Sequence, residues 1–280
     1  MRRYFPPGWR GLFLLLLAAA GCGRELPLAQ PAPGWAGLPA ASDPWNPRTW
    51  TRVLRNDGFL VGYSDVRGNP LWVTYRLTGA NPQPHHARPA GFRSDGRGLF
   101  PVAPVDYSRS GYDRGHLAPN HAIDLVYGQE AQRETFLMTN IAPQRPNLNR
   151  KLWQRLEEVE LDRFLARFGA LWVLTGTVFD ERIQRLKTAW RVEVPDAFFK
   201  IYLVPRTDRP PLLLAFVMPQ DVKGNEPLDH YLVSVDRVEE LTGFDFFPNL
   251  DDALERQVES VADGGAWNLA AVSSLPGRYH

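Results

Sequence analysis

Cysteine is almost missing from this chain: Cys22 is the only one in 280 residues. No disulfide can form within one molecule, and a leftover thiol in an exported protein needs a reason. Net charge is small as well, with 32 Lys and Arg against 31 Asp and Glu and a formal value of +1. That balance excludes a protein that holds nucleic acid through a globally basic surface. The chain shows no internal repeat and no regular strand–helix alternation, which argues against a doubly wound βαβ fold. Its nine tryptophans are scattered and form no stacking platform for bases.

The one long apolar run lies at the start. Leu12-Phe13-Leu14-Leu15-Leu16-Leu17-Ala18-Ala19-Ala20 follows Arg2, Arg3 and Arg10, the pattern of a secretory signal over residues 1–21. The run is too short to cross a bilayer comfortably. Ala19-Ala20-Gly21-Cys22 resembles a bacterial lipobox cut before Cys22, with Ala19 where leucine is more usual. Diacylglycerol on Cys22 would give the lone thiol its reason, and the chain would then sit on a membrane through that lipid anchor. The plainer alternative is cleavage near Ala20 with Cys22 a bystander. Gly23 after the cysteine resembles the pattern of lipoproteins passed to an outer membrane. Residues 24–47 are rich in Pro, Ala and Gly and read as a tether. The expected layout is a signal over 1–21, lipidated cysteine and tether over 22–47, one catalytic domain over 48–262 and a tail over 263–280. The protein is expected in the cell envelope, facing the periplasm or the exterior. Loss of Arg2, Arg3 and Arg10 with the signal takes the formal charge from +1 to −2.

Chemistry is concentrated in the middle of the chain. Tyr112-Asp113-Arg114-Gly115-His116-Leu117-Ala118-Pro119-Asn120 is followed by Thr139-Asn140-Ile141-Ala142-Pro143-Gln144 and by Asn149-Arg150-Lys151-Leu152-Trp153-Gln154-Arg155-Leu156-Glu157. Phosphodiester hydrolysis needs an activated water and relief of charge on the phosphate and leaving oxygen. The His116 imidazole can take a proton from water near working pH. A hard cation such as Mg²⁺ can act as the Lewis acid, and an Asn oxygen at Asn149 suits its preference for oxygen ligands. Leu152, Trp153, Leu156, Val159, Phe164, Leu165 and Phe168 recur with a helical period. Asn149 then falls at or just before the helix start, where Asn is also a favoured cap. Glu157 lies about 80° round that helix and roughly 12 Å along it, which suits support of a hydrated ion rather than direct shared ligation. Asp113 can buttress the site or pair with Arg114, and Gly115 can let the backbone turn.

Strands are expected around 58–63, 72–77, 136–139, 171–177, 198–204 and 212–217, and helices over 149–168, 229–242 and 250–261. Strands mixed with a few helices point to α+β. Arg88, Arg93, Arg109, Arg114, Arg145, Arg150, Lys151 and Arg155 cluster around the motif and can make a locally basic cleft in a chain of balanced charge.

These motifs resemble the DNA/RNA non-specific endonucleases, the ββα-metal or His-Me finger nucleases that include endonuclease G. The match runs from about Trp45 to Leu254. It takes in Pro70-Leu71-Trp72-Val73-Thr74-Tyr75, Thr175-Gly176, Pro195-Asp196-Ala197-Phe198-Phe199-Lys200, Val217-Met218-Pro219 and Tyr231-Leu232-Val233-Ser234-Val235. The resemblance implies a central, mostly antiparallel sheet flanked by helices. It implies His116 as general base, Asn149 as the only protein ligand of Mg²⁺ (with Mn²⁺ as a substitute), Glu157 as support for the hydrated ion and Asn140 as an organising residue. Arg93 is the best-placed upstream arginine for the phosphate, with Arg88 behind it, and Arg114, Arg150 and Asp113 are assigned to substrate binding. Family members often carry an arginine four residues after the glutamate. Leu161 stands there instead, so Arg155 or Arg163 is needed if anything is to take its place.

The leading expectation is therefore a Mg²⁺-dependent endonuclease on DNA and RNA outside the cytoplasm, with 5′-phosphate products. Family members are often dimers, so a homodimer is among the expected states. A surface lipoprotein that binds nucleic acid with weak or no turnover is the alternative, favoured by Leu161. A phosphodiesterase for small nucleotides would need a closed pocket. Taken singly, His116 also reads as a packing residue, Glu157 as a solvated charge paired with Arg155 or Lys151, and Arg93 as surface charge. His85-His86 reads as a loop pair lacking identifiable metal partners, and His121 can line the cleft.

Overall fold

Runs rich in β-branched and aromatic residues favour a pleated, buried surface, and here they build a seven-stranded antiparallel sheet. The computed structural model describes residues 35–79 and 85–277; the expected signal, Cys22 and the first part of the tether lie outside them. A meander of β1 (Arg52–Asn56), β2 (Phe59–Ser64) and β3 (Asn69–Thr78) forms one side of the sheet. Outside the sheet, β4 (Asp113–His116) pairs antiparallel with β5 (Ile141–Gln144). The sheet resumes with β6 (Ala170–Val178), β7 (Ala197–Val204), β8 (Leu212–Pro219) and the short edge strand β9 (Leu232–Val233), in the order β9-β8-β7-β6-β3-β2-β1. Gly176 of β6 is needed for that closeness, since a Cβ there would lie 2.1 Å from the Leu71 carbonyl oxygen of β3.

Successive strand residues face opposite sides, so Phe198 and Phe199 enter different cores. On one face lie α1 (Asn120–Tyr127), α2 (Gln129–Thr135) and a long helix, α3, over 148–168. Trp153, Phe164 and Leu156 of α3 pack there with Phe198 and Tyr202. On the other face, α4 (Val235–Thr242) covers Phe199 and Ile201 through Val235 and Val238, followed in the chain by α5 (Asp252–Glu259) and α6 (Leu269–Val272).

Several expectations need correction. Residues 136–139 are not a strand: Phe136 closes α2, and a 3₁₀ turn over Met138–Asn140 leads into β5. A short apolar run alone does not separate a strand from a buried turn. The helix expected over 229–242 is interrupted by a 3₁₀ turn (Leu228–Tyr231) and β9, and begins only where the Ser234 hydroxyl accepts from Arg237 N at 3.2 Å. The domain also exceeds 48–262 at both ends. Trp35, Ala36, Leu38 and Ala41 pack onto the core and Ala40–Ala41 pairs with Phe244–Asp245, so the stretch after residue 34 is not a loose tether. The expected tail carries Trp267, buried against Phe164, Phe168 and Tyr202.

Candidate active site

β4 delivers the Asp-Arg-Gly-His motif as an extended strand, with Gly115 opposite Ala142 and His116 opposite Ile141. Gly115 does not serve a turn: a Cβ there would lie 2.0 Å from Gln144 Oε1, so its role is close approach. Asn140 is fully buried, donating to the carbonyls of Ala118 (3.0 Å) and Thr135 (2.9 Å) and accepting from Ala118 N (2.9 Å). It thereby pins the chain directly after His116 and does not itself reach the cleft. The His116 ring sits between Phe92 and Phe136, at centroid distances of 5.3 and 4.9 Å. Burial, with the nearby positive charge of Arg88, lowers its pKa to about 3. The imidazole is neutral, and its Nε2 is sheltered without a hydrogen-bond partner.

The long helix α3 carries the other two groups. It alternates π-helical and α-helical turns, with π segments at Leu148–Trp153 and Glu160–Leu165; wide turns of this kind are frequent at functional sites. Asn149 lies inside the first turn rather than capping it. Its Nδ2 donates to Asp113 Oδ2 at 3.0 Å, and Arg150 grips the same carboxylate through two bonds of 2.7 and 2.6 Å. Asp113 thus pairs with Arg150, not Arg114, holds the Asn149 amide, and is not among the residues lining the cleft. Burial would raise the Asp113 carboxyl, but the bonds from Arg150 and Asn149 hold it below its ordinary value. Glu157 is half-buried and pushed up to about 7 by burial; Lys200 opposes the rise and Glu160 adds to it. Its Oε1 accepts no hydrogen bond. Behind it, fully buried Lys200 pairs with fully buried Glu160 at 3.1 Å, and the Tyr75 hydroxyl donates to that carboxylate at 3.1 Å.

His116, Asn149 and Glu157 converge on one cleft of about 640 Å³, together with Asn120, Arg88, Arg114 and Arg150. A model of the DNA/RNA non-specific endonucleases matches residues 46–253. The chain belongs to that family. A nuclease from Nostoc is 28% identical over 91% of this chain and 98% of the relative, and one from Syncephalastrum racemosum is 32% identical over 74% and 70%. A crystal structure of an EndoG/EndoGI complex superposes with a TM-score of 0.64 and 25% identity, covering 78% of this chain and 90% of that one. The protein is a nuclease, a hydrolase of phosphodiester bonds with nucleic acid as its substrate. β4, β5 and α3 are its ββα unit.

Within this nuclease some residues are not where sequence puts them. Arg93 is outside the cleft: its backbone bonds to Phe136 and Met138, and its guanidinium donates to the Arg133 carbonyl at 3.3 Å. Arg88 takes the inner position, over the Phe136 ring at 5.1 Å. Arg114 lines the cleft with its guanidinium anchored on the Pro104 carbonyl at 2.6 Å. Leu161 forms part of the wall. Arg155 does not compensate for it, being buried and donating to the carbonyls of Glu226 (2.9 Å), Ser273 (2.8 Å) and Leu275 (3.0 Å); Arg163 does not line the cleft. Arg155 and Lys151 likewise form no salt bridge with Glu157 among the described residues.

Two features escaped sequence reasoning. Asn120 presents a buried Oδ1 without a partner to the cleft; its place four residues after His116 was the available signal. The partner of His85 and His86 is the buried Asp124, at 3.2 and 2.8 Å, four residues further along α1. His85 and His121 both line the cleft, their rings 5.3 Å apart.

Proposed function

We propose that the protein is a Mg²⁺-dependent endonuclease of DNA and RNA, with His116 as general base, acting outside the cytoplasm from a lipid anchor on Cys22. One observation carries the site reading: His116 Nε2, Asn120 Oδ1 and Glu157 Oε1 are sheltered polar atoms without partners on a single cleft. Buried polar atoms in native folds are rarely left unpaired, and these three acceptors suit water and a hydrated cation. The donor set fits a hard ion, since Asn149, Asn120 and Glu157 offer only oxygen once Asp113 has engaged the Asn149 amide nitrogen. A bound divalent cation supplies Lewis-acid relief of charge on the phosphate and leaving oxygen.

The chain's own groups do the rest. Neutral His116 accepts the proton of the attacking water at Nε2, and the resulting imidazolium is stabilised by the substrate's negative charge. Arg88, Arg114 and Arg150 hold phosphates along the cleft, which accounts for nucleic-acid binding by a chain of balanced charge. Asp113 and Asn140 keep Asn149 and His116 in place without touching substrate. By resemblance, products carry 5′-phosphates. Diacylglycerol on Cys22 remains a reading of sequence, checked by mass spectrometry of the envelope protein.

The deciding assay follows plasmid DNA and RNA with the chain from Trp35 onward, in Mg²⁺ or EDTA, beside His116→Ala. Cleavage that requires both Mg²⁺ and His116 supports the proposal. A folded protein that binds DNA without cutting it would instead favour the non-catalytic lipoprotein, the reading to which the apolar Leu161 wall lends its weight.

A further inference from the structure

On the sheet face covered by α4, a second set of acidic groups has no place in the nuclease chemistry. A carboxylate oxygen from each of Asp236, Glu239 and Glu259 lies within 4.8 Å of the others. Asp236 and Glu239 come from α4 and Glu259 from the end of α5. Acidic clusters on protein surfaces are common, but Glu259 is not a surface residue: it is 1% exposed, and its sheltered Oε1 accepts no hydrogen bond. The neighbours do not neutralise it. The charges bearing on Glu259 come from Glu239, Glu255, Asp236 and Asp245, all negative. Arg237 on α4 pairs with Glu240 instead. Glu239 Oε1 accepts from Phe246 N at 2.8 Å and Asp245 Oδ1 from Phe247 N at 3.0 Å, which fixes both carboxylates in place. Burial and like charge raise Glu259 to about 9 and Glu239 to about 7. Burying an uncompensated carboxylate is costly unless a proton or a cation joins it.

We propose that Asp236, Glu239 and Glu259 form a second cation site, separate from the nuclease cleft, that takes Ca²⁺ and clamps α4 to α5. Oxygen-only donors select a hard cation. Ligands about 2.3–2.6 Å from Ca²⁺ span up to roughly 5 Å across the ion, whereas those of Mg²⁺ span only about 4.2 Å. Three oxygens within 4.8 Å of one another fall inside the span that Ca²⁺ reaches. Mg²⁺ also keeps most of its waters and rarely uses three carboxylates. Asp245 pairs with Ala40, so this corner also seats the N-terminal segment carrying Trp35 and Leu38. Binding displaces the protons held by Glu259 and Glu239, and affinity rises with pH.

The test is thermal unfolding of the metal-stripped full chain at pH 8, titrated with Ca²⁺ or Mg²⁺, with calorimetry as the direct binding readout. Wild type is expected to gain several degrees in millimolar Ca²⁺ and less in Mg²⁺. Asn149→Ala, altered only in the cleft, keeps the Ca²⁺ response, which separates this site from the catalytic one. Asp236→Asn, at an exposed position that folding tolerates, weakens Ca²⁺ at least tenfold and leaves Mg²⁺-dependent DNA cleavage unchanged. Glu259→Gln abolishes the response and unfolds at a higher temperature than metal-free wild type. The proposal is overturned if wild type ignores Ca²⁺ even above pH 9, if Asn149→Ala loses the response, or if Asp236→Asn retains it in full.

Discussion

Glu157→Gln separates what the fold gains from what the chemistry needs. The Glu157 carboxyl rises from 4.5 to about 7, chiefly through burial. A raised carboxylate binds its proton more tightly in the folded state than in the unfolded one. The resulting penalty is fully present above the folded value and vanishes below the unfolded value of 4.5. The gap corresponds to roughly 3 kcal/mol, which water at the cleft mouth reduces to about 2 kcal/mol. In a domain of this size that is roughly 4–8 °C in Tm. The variant is nearly isosteric and removes only the charge. In EDTA it is expected to unfold about 4–8 °C higher than wild type at pH 8 and at the same temperature near pH 4.5, by calorimetric scans across that range. With Mg²⁺ present its nuclease rate collapses, while wild type shows an acid limb near pH 7 as protonation releases the ion. A Glu157→Gln protein less stable than wild type at pH 8, or a Tm difference independent of pH, would refute the burial argument.

Asp113→Asn loses the grip on Arg150 and loosens Asn149, so half-maximal cleavage is expected to need about 10–100-fold more Mg²⁺ with little change in Tm; an unchanged metal requirement removes Asp113 from the positioning role. Arg88→Ala is expected to cost about 10–100-fold in kcat/KM, the value of a charge-assisted bond to phosphate, whereas Arg93→Ala stays near wild type; the reverse order restores Arg93 to the cleft. Glu160→Gln strands the fully buried Lys200 and is expected to cost about 3–5 kcal/mol in urea unfolding, much of it recovered by adding Lys200→Met. Trp267→Ala should lose about 3–5 kcal/mol in the same assay, and an effect under 1 kcal/mol would return residues beyond 262 to the status of a tail.

Sequence reveals this fold best where burial is two-sided or periodic. β6, β7 and β8 are apolar on both faces, and α3 repeats Leu152, Leu156 and Val159, so each is legible as an element. β4 is the opposite case. Asp113-Arg114-Gly115-His116 has no alternation and no β-branched residue, so the strand that carries the chemistry gives no strand signal. His116, Asn149 and Glu157 were legible as chemistry because their types and spacing mean something without a fold. Arg88 and Arg93 were not separable, because the choice depends on how Gly91-Phe92-Arg93 bonds to Phe136 and Met138, 43 to 45 residues downstream of Arg93. Trp35 and Trp267 failed for a related reason: composition labels their surroundings as linker, and only contact with Phe246's cluster or with Phe164 reveals them as core.

The two acidic sites can be compared by what sits behind them. Glu157 is raised by burial, yet Lys200 beneath it opposes the rise and keeps it near 7, where it ionises in neutral solution. That lysine is itself held by Glu160 and the Tyr75 hydroxyl, so a wholly buried polar network on β7, α3 and β3 sets the charge of a cleft residue. Glu259 has only acids around it and rises to about 9, where it stays protonated in neutral solution until a cation displaces the proton. Burial therefore has two outcomes: a carboxylate available for turnover in the cleft, and one ionised only on capture at the α4–α5 corner. The difference rests on Lys200, so Lys200→Met should move the acid limb of nuclease activity upward and leave the Ca²⁺ response at Glu259 untouched.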